Sequence, residues 1–190
     1  MAKIVQISVG GFDDNFSYLI LGEGKHSKEG VIIDPTGDAE AIEDEIKRYG
    51  AKIVLQAFTH LHPDHMELHG HFNSKGIKAF KPAPAPLGKR EEIAAAGLKI
   101  SAIHTPGHTM ECVCFIIGDN VFSGDTLFVK GVGTTAYGGD DALLNETINF
   151  LFTLDPNLRF GLGTIMAGRF RRLARRSKTQ TFGRTRKSLT

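Results

Sequence analysis

Residues 59–65 read THLHPDH, so three histidines and one aspartate fall within six positions. Imidazole is the commonest protein ligand for zinc and similar ions, and carboxylates often accompany it. Donors on one strand-to-helix turn can point the same way, whereas a hydrophobic core would need a polar partner for each buried ring. The stretch therefore predicts a metal site built from His60, His62, Asp64 and His65.

Two further segments supply donors that such a site lacks. TPGHT (105–109) places His108 on a tight turn after a strand, and SGDT (123–126) places Asp125 on another strand-end turn. A carboxylate at that position can bridge two metals. Either residue alone would more often be an ordinary turn or surface residue, but the three motifs together favour a metal centre. Four histidines are left outside the predicted site: His26, His69, His71 and His104.

Hydrophobic periodicity and turn residues predict the elements that carry these motifs. A helix is expected over 38–49, where acids crowd the first turns and Gly50 ends it. A strand over 53–59 leads into His60, and a short helix begins at Pro63 or Asp64. The other predicted elements are strands KIVQISVG, FSYLILG, GVIIDPT, LKISAIHT, CVCFIIG and NVFSG, and the helix DDALLNETINFLFTL.

The strands therefore form two runs, each followed by a helix. This order favours an α+β fold with two packed sheets and helices outside, rather than one doubly wound sheet. The 190 residues, 41% hydrophobic and 23% charged, have an ordinary composition for a soluble domain. We expect a cytoplasmic protein, since the chain shows no signal-peptide pattern and no stretch long enough to span a membrane. Cys112 and Cys114 are expected to be core thiols.

The motifs HLHPDH, TPGHT and SGDTLF, with NFSYLI and VIIDPT before them, resemble the metallo-β-lactamase-fold hydrolases over residues 4–155. The resemblance implies an αββα sandwich of two mixed sheets, with the metals at one edge between them. Asp34, which ends VIID, resembles a buried acid beside the site. By position, His60, His62 and His108 hold the first metal, Asp64 and His65 hold the second, and Asp125 bridges them.

Within that family, SGDTLFVKGVGTTAYGGD resembles the glyoxalase II-like (hydroxyacylglutathione hydrolase-like) branch. The resemblance implies one or two zinc ions (Zn²⁺), whose bound water ionises near neutral pH and attacks a small thioester or related carbonyl substrate. Asp64 would orient that water as the catalytic carboxylate. Glutathione is not the expected carrier, because 190 residues leave no room for that branch's C-terminal helical domain.

Three alternatives remain open. A persulfide dioxygenase-like enzyme would hold one iron through His60, His108 and Asp125. An inactive relative would bind metal without turnover. An RNA-processing nuclease of the same fold is suggested only by the basic end of the chain, so nucleic acid is not the expected partner. The oligomeric state is not predicted.

The end of the chain differs in composition from the rest. Residues 156–190 carry ten of the 23 Lys and Arg and none of the 21 Asp and Glu. We therefore divide the chain into a metallo-β-lactamase-like domain, 1–158, and an atypical basic tail, 159–190. The family's last metal-binding histidine, in a Pro-Gly-His turn, is absent. Loss of this histidine would impair the second metal site and hydrolysis.

A reading-frame shift near residues 157–160 is our hypothesis for this tail. With suitable codons, another frame across 161–164 encodes Pro-Gly-His. The rival hypothesis is a genuine basic tail that binds nucleic acid or an acidic partner. Sequencing the gene would distinguish them.

Overall fold

Two β-sheets form the centre of the fold in the computed structural model, which describes residues 2–10, 15–128, 131–162 and 165–166. The first sheet has the strand order β1-β2-β3-β4-β5. Its first two pairings are antiparallel, and β3, β4 and β5 run parallel. The strands are β1 (Lys3–Ser8), β2 (Phe16–Leu21), β3 (Glu29–Ile33), β4 (Lys52–Ala57) and β5 (Lys78–Phe80).

The second sheet has the strand order β11-β10-β9-β8-β7-β6. Neighbouring strands are antiparallel except β9 and β10, which run parallel. The strands are β6 (Arg90–Ala95), β7 (Leu98–His104), β8 (Val113–Ile117), β9 (Asn120–Phe122), β10 (Arg159–Leu162) and β11 (Ile165–Met166).

Helices cover the outer faces of both sheets. The covering helices are α1 (Ala39–Tyr49), α3 (His69–Ser74) and α4 (Asp141–Leu151), while the short helix α2 (Pro63–Met66) lies between β4 and α3 in the chain. There are 3-10 turns at Gly24–His26 and Gly124–Thr126. Ile42 of α1 and Phe72 of α3 pack on the first sheet, whereas Leu144 and Ile148 of α4 pack on the second.

A third apolar cluster lies between the sheets. It joins Tyr18, Ile33 and Leu55 of the first sheet to Ile100 and Phe115 of the second. The layers therefore run helix, sheet, sheet, helix, which confirms the predicted αββα sandwich. Burial of apolar area from both sheets is the main stabilising contribution in such a fold.

The helix predicted over 38–49 forms because both of its ends are capped. Asp38 accepts hydrogen bonds from the backbone N–H groups of Glu40 and Ala41, and Gly50 adopts the left-handed conformation with φ +57°. The predicted positions of the other strands and helices agree with the structure to within a few residues. Strands β5, β6, β10 and β11 and helix α3 were not predicted. Strand β6 (REEIAA) carries three charges, and α3 (HGHFNS) contains poor helix formers.

Strands β10 and β11 extend the second sheet beyond residue 158, so the proposed boundary at 158/159 falls inside this sheet. The division into a domain and a tail stays a prediction, and residues 167–190 lie outside the described part of the chain. Among the helices of the described residues, none is both long and apolar enough to cross a membrane.

Candidate metal centre

One edge of the sandwich collects the donors that the sequence predicts. Strands β3 and β4 run parallel, so Asp34 and His60, which follow them, arrive at the same edge. His108 follows β7, and Asp125 follows β9 in the Gly124–Thr126 turn. His62 and His65 lie before and within α2, the short helix after His60.

The first group of donors consists of three imidazoles. His108 Nε2 lies 3.3 Å from His60 Nε2 and 3.0 Å from His62 Nδ1. His60 and His108 are buried, while His62 is half-buried. The three rings meet edge to face, with centroid separations of 4.7 to 4.8 Å. Their ring nitrogens converge on one small space.

Hydrogen-bond partners assign the protonated nitrogen of two of these rings. His108 Nδ1 donates to the carbonyl oxygen of Thr134 at 2.6 Å. Thr59 Oγ1 donates to Asp34 at 2.6 Å and lies 3.2 Å from His60 Nδ1, so it accepts from that nitrogen. The Nε2 atoms of His60 and His108 therefore carry lone pairs when the rings are neutral, and these lone pairs face each other.

The second group comprises His60, His65 and Asp125. His65 Nε2 lies 3.2 Å from Asp125 Oδ1 and 3.7 Å from Asp64 Oδ2. Although Asp125 is this close, the geometry is not that of a hydrogen bond, and the buried Nε2 has no hydrogen-bond partner. The second carboxylate oxygen of Asp125, Oδ2, lies 3.7 Å from His108 Nε2. Asp125 therefore presents one oxygen to each group.

Asp34 anchors the second group from behind. Its carboxylate accepts from His65 Nδ1 at 3.0 Å, from the Thr59 N–H at 2.7 Å and from the Thr59 hydroxyl. Asp34 is buried and adopts φ +48°, a left-handed conformation that aspartate tolerates better than most residues. When the ring of His65 is neutral, the bond to Asp34 places the proton on Nδ1 and the lone pair on Nε2, which faces the other donors.

Asp64 lies beside the second group and is held by long-range contacts. Asn15 Nδ2 donates to Asp64 Oδ2 at 3.0 Å and to its backbone carbonyl at 3.3 Å. The Thr36 hydroxyl donates to the same carbonyl at 2.5 Å. All six predicted donors thus lie at this edge, five of them in the two groups and Asp64 next to the second.

Burial and neighbouring charge affect the imidazoles in opposite ways. Burial lowers the pKa of His60 well below its usual value, and the surrounding imidazoles lower it further. Burial also lowers the pKa of His108, although Asp125 opposes this shift. Both rings are therefore neutral at pH 7, which is the form that binds metals.

In the second group, the charged side chains are those of His65 and Asp125. Burial would lower the pKa of His65, but the carboxylates of Asp125 and Asp34 outweigh it and raise that pKa. Burial would raise the pKa of Asp125, but His65 outweighs it, so the pKa of Asp125 is lowered and the carboxylate is ionised at pH 7. A cation entering this group would displace the proton of His65.

The donors fit a zinc-like cation. Zinc binds nitrogen at about 2.0–2.1 Å in a tetrahedron, which separates its nitrogen ligands by about 3.3 Å. The nitrogen separations of 3.0 and 3.3 Å around His108 are close to this value. The facing lone pairs of His60 and His108, and the unpartnered Nε2 of His65, would each be satisfied by a cation. Imidazole and carboxylate also suit iron.

The four histidines outside the predicted site have other partners. His26, His69, His71 and His104 each lie within 3.1 Å of a Glu or Gln side chain outside the centre. Cys112 and Cys114 are buried free thiols, as predicted for core residues. Burial raises the pKa of Cys112 to about 11 and that of Cys114 to about 12, so neither is a candidate nucleophile.

The anchoring roles of Asn15, Thr36 and Thr59 were not predicted, because single polar residues carry no periodic signal. Nor was the role of Gly133, where a Cβ atom would lie 2.6 Å from His108 Nδ1 and 2.3 Å from the Asp125 carbonyl oxygen. Glycine at this position allows the 131–139 loop to approach the centre. The sequence signal for this loop is the presence of several glycines in GVGTTAYGGD (131–140).

A family profile described as the Metallo-beta-lactamase superfamily matches residues 73–163. The match includes His108 and Asp125 and begins after the 60–65 cluster. The hydroxyacylglutathione hydrolase of Aeromonas hydrophila is 30% identical over 158 residues, which cover 78% of this chain and 60% of that protein. A probable polyketide biosynthesis zinc-dependent hydrolase, BaeB of Bacillus velezensis, is 29% identical, with coverages of 67% and 62%.

The crystal structure of ETHE1 from Myxococcus xanthus superimposes with a TM-score of 0.70 at 24% identity, covering 86% of this chain and 75% of that one. This likeness supports the fold. The chain spans about half to three fifths of the length of its first curated relatives, namely 60%, 48% and 62%.

Proposed function

Because the chain belongs to the metallo-β-lactamase superfamily, with relatives that are mostly hydroxyacylglutathione hydrolases, we propose that it is a metal-dependent hydrolase of small thioesters or related carbonyl compounds. The observation that carries this proposal is the convergence of His60, His62 and His108 beside a second group that shares His60. Neutral imidazoles with facing lone pairs form a site for a cation rather than a stable core.

The residues divide between two cation positions. His60, His62 and His108 would hold the first, His65 and Asp64 would hold the second, and Asp125 would contribute one oxygen to each. A cation bound there supplies an acidified water as nucleophile and polarises the substrate carbonyl. In the overall reaction a carbon–oxygen bond forms, the carbon–sulfur bond breaks, and the thiol leaves with a proton.

Asp64 has the position of the catalytic carboxylate in this scheme. Its side chain is partly exposed, unlike that of His65, so it can contact both a cation and an incoming water. The Asn15 amide holds Oδ2 in place, which leaves Oδ1 to accept a hydrogen bond from that water. Its role is to orient the nucleophile and to accept its proton.

The test is a metal count on the purified protein combined with a panel of thioesters. With zinc in excess, so that the weaker site also fills, we expect about two zinc ions per chain and hydrolysis that a chelator abolishes and added zinc restores. Bound metal without turnover of any thioester, lactone or amide would contradict the hydrolase and identify a binding protein without hydrolase activity.

A mononuclear iron enzyme is the second candidate. The Nε2 atom of His108 lies 3.3 Å from His60 Nε2 and 3.7 Å from Asp125 Oδ2, so two imidazoles and one carboxylate are close together. This donor set suits non-haem iron. About one iron per chain, retained in Asp64→Asn, would favour the iron enzyme. About two zinc ions, with turnover lost in the same variant, would favour the hydrolase.

The reading-frame hypothesis bears on the second cation. Strand β10 runs parallel to β9, with Gly161 opposite Phe122, so β10 ends at the same edge as β9, which Asp125 follows. In the family, the last metal-binding histidine would follow this strand. In this chain the next residues are Gly163 and Thr164, which lie outside the described residues. We propose that the second cation binds more weakly than the first for this reason.

Rebuilding the chain from residue 159 in the frame that encodes Pro-Gly-His tests this proposal. Zinc titrations and thioester assays should compare the 190-residue chain with the rebuilt chain. The rebuilt chain should bind the second zinc more tightly and hydrolyse thioesters faster. Two equal affinities in the written chain, with no gain on rebuilding, would contradict it.

A further inference from the structure

The exposed large hydrophobic side chains of the described residues all lie around the candidate metal centre. There are three: Leu61 is 37% exposed, Met110 42% and Tyr137 76%. Single exposed hydrophobics scattered over a surface need no explanation, whereas their concentration at one place indicates a binding surface. We call Leu61, Met110 and Tyr137 the apolar rim.

Each member of the apolar rim lies beside the donors in the chain or in space. Leu61 lies between His60 and His62, and its backbone N–H donates to Glu111 Oε1 at 3.3 Å, while Met110 precedes Glu111 and follows His108 by two residues. The Tyr137 ring meets His62 edge to face, with the centroids 6.4 Å apart. The rim therefore combines three separate segments around the first group of imidazoles.

We propose that the apolar rim binds the hydrocarbon acyl group of the substrate, so that the preferred substrates are thioesters of medium-length unbranched or aromatic acids. This inference rests on the proposed hydrolase function. An acyl carbon positioned at the donors leaves its chain to extend across the surface beside them, where the rim supplies apolar contact. Tyr137 offers a broad ring face with few rotatable bonds, which lowers the entropic cost of binding.

Glu111 bears on a second property of the substrate, the charge at the end of its acyl chain. Its carboxylate lies at the rim through the bond to the Leu61 backbone. An acyl chain that ends in a carboxylate would meet this negative charge, whereas a hydrocarbon end would not. We therefore expect kcat/KM to be lower for a glutaryl thioester than for the pentanoyl thioester. The variant Glu111→Gln, which keeps the hydrogen-bond acceptor for the Leu61 N–H, should narrow this difference in kcat/KM.

The experiment measures kcat/KM for N-acetylcysteamine thioesters from acetyl to octanoyl. In the wild type we expect a rise of about two- to fourfold for each added methylene until the chain passes the rim. A triple variant, Leu61→Ser, Met110→Ser and Tyr137→Ser, should lose this dependence, with the largest loss for the longest chains and an unchanged zinc content. The matched control, Leu61→Met, Met110→Leu and Tyr137→Phe, should keep it.

Binding of S-alkyl N-acetylcysteamine thioethers, measured by calorimetry, separates this inference from the proposed function. If no thioester is hydrolysed but thioether affinity rises with chain length in the wild type and not in the serine variant, the rim assignment stands and the hydrolase is contradicted. If thioesters are hydrolysed with no dependence on chain length, the rim assignment is overturned. A wild-type dimer that becomes a monomer in the serine variant would show that the rim is an interface between copies and would also overturn it.

Discussion

The two groups of donors share His60 but are built in different ways. The first group consists of imidazoles from one short stretch plus His108, and a single carbonyl oxygen orients the ring of His108. The second group mixes imidazole and carboxylate, and its His65 is anchored by Asp34, which follows β3. The first group therefore combines neighbouring histidines with one distant imidazole, whereas the second also depends on a buried carboxylate that anchors one of its ligands. Perturbations of the chain should separate them.

The largest effect should come from His60→Ala, because His60 belongs to both groups. We expect the variant to retain neither cation and to lose all metal-dependent turnover. Metal analysis after purification checks the result, with His26→Ala as a matched control, since His26 pairs with Glu29 outside the centre. A metal content equal to that of the wild type would show that His60 is not a ligand.

Next in size should be the paired variants His62→Ala and His65→Ala, each of which removes one donor from one group. His62→Ala should weaken the tighter zinc binding step and His65→Ala the weaker one, each by more than about 100-fold, because a lost ligand costs more than a lost outer partner. Competition titrations against a zinc-binding dye resolve the two steps. If both variants weaken the same step, the division into two groups is incorrect.

The same contrast explains how far sequence alone could reach. His60, His62, His65, His108 and Asp125 could be predicted to lie together, because metal donors at characteristic spacing on turns are rare by chance. The sandwich was predicted because two runs of strands, each with a capped helix, leave few alternatives. The contacts of Asn15 and Thr59 with the site were not predicted, since they depend on how β2, β3 and β4 pair in space.

Asp34 provides a sharper test of the long-range anchoring. Asp34→Ala removes the acceptor for Thr59 and His65, so we expect the free energy of unfolding to fall by about 2–4 kcal/mol. The second zinc affinity should also fall, by about 10- to 100-fold, because an orienting partner of a ligand is lost. Denaturant unfolding and zinc titration measure the two effects.

Asp34→Asn is the matched control, because asparagine tolerates the left-handed conformation and keeps one acceptor oxygen for the Thr59 N–H. It should cost less stability than Asp34→Ala but still weaken the second zinc, because it removes the negative charge beside His65. If Asp34→Ala weakens the first zinc step more than the second, the anchoring does not act through His65.

The smallest expected effect is that of Asn15→Ala, which removes the amide bound to Asp64 without touching any donor of the two groups. Loss of one hydrogen bond to a carboxylate predicts a decrease of about 1–2 kcal/mol in the free energy of unfolding and a few-fold weaker second zinc binding.

Asn15→Asp has the same shape but places a negative charge against Asp64. Without a cation, that repulsion should destabilise the fold more than the alanine does, whereas bound zinc should relieve part of it. Thermal unfolding of both variants, with and without zinc, checks this order. Identical behaviour of the two variants would show that Asn15 does not hold the Asp64 carboxylate in solution.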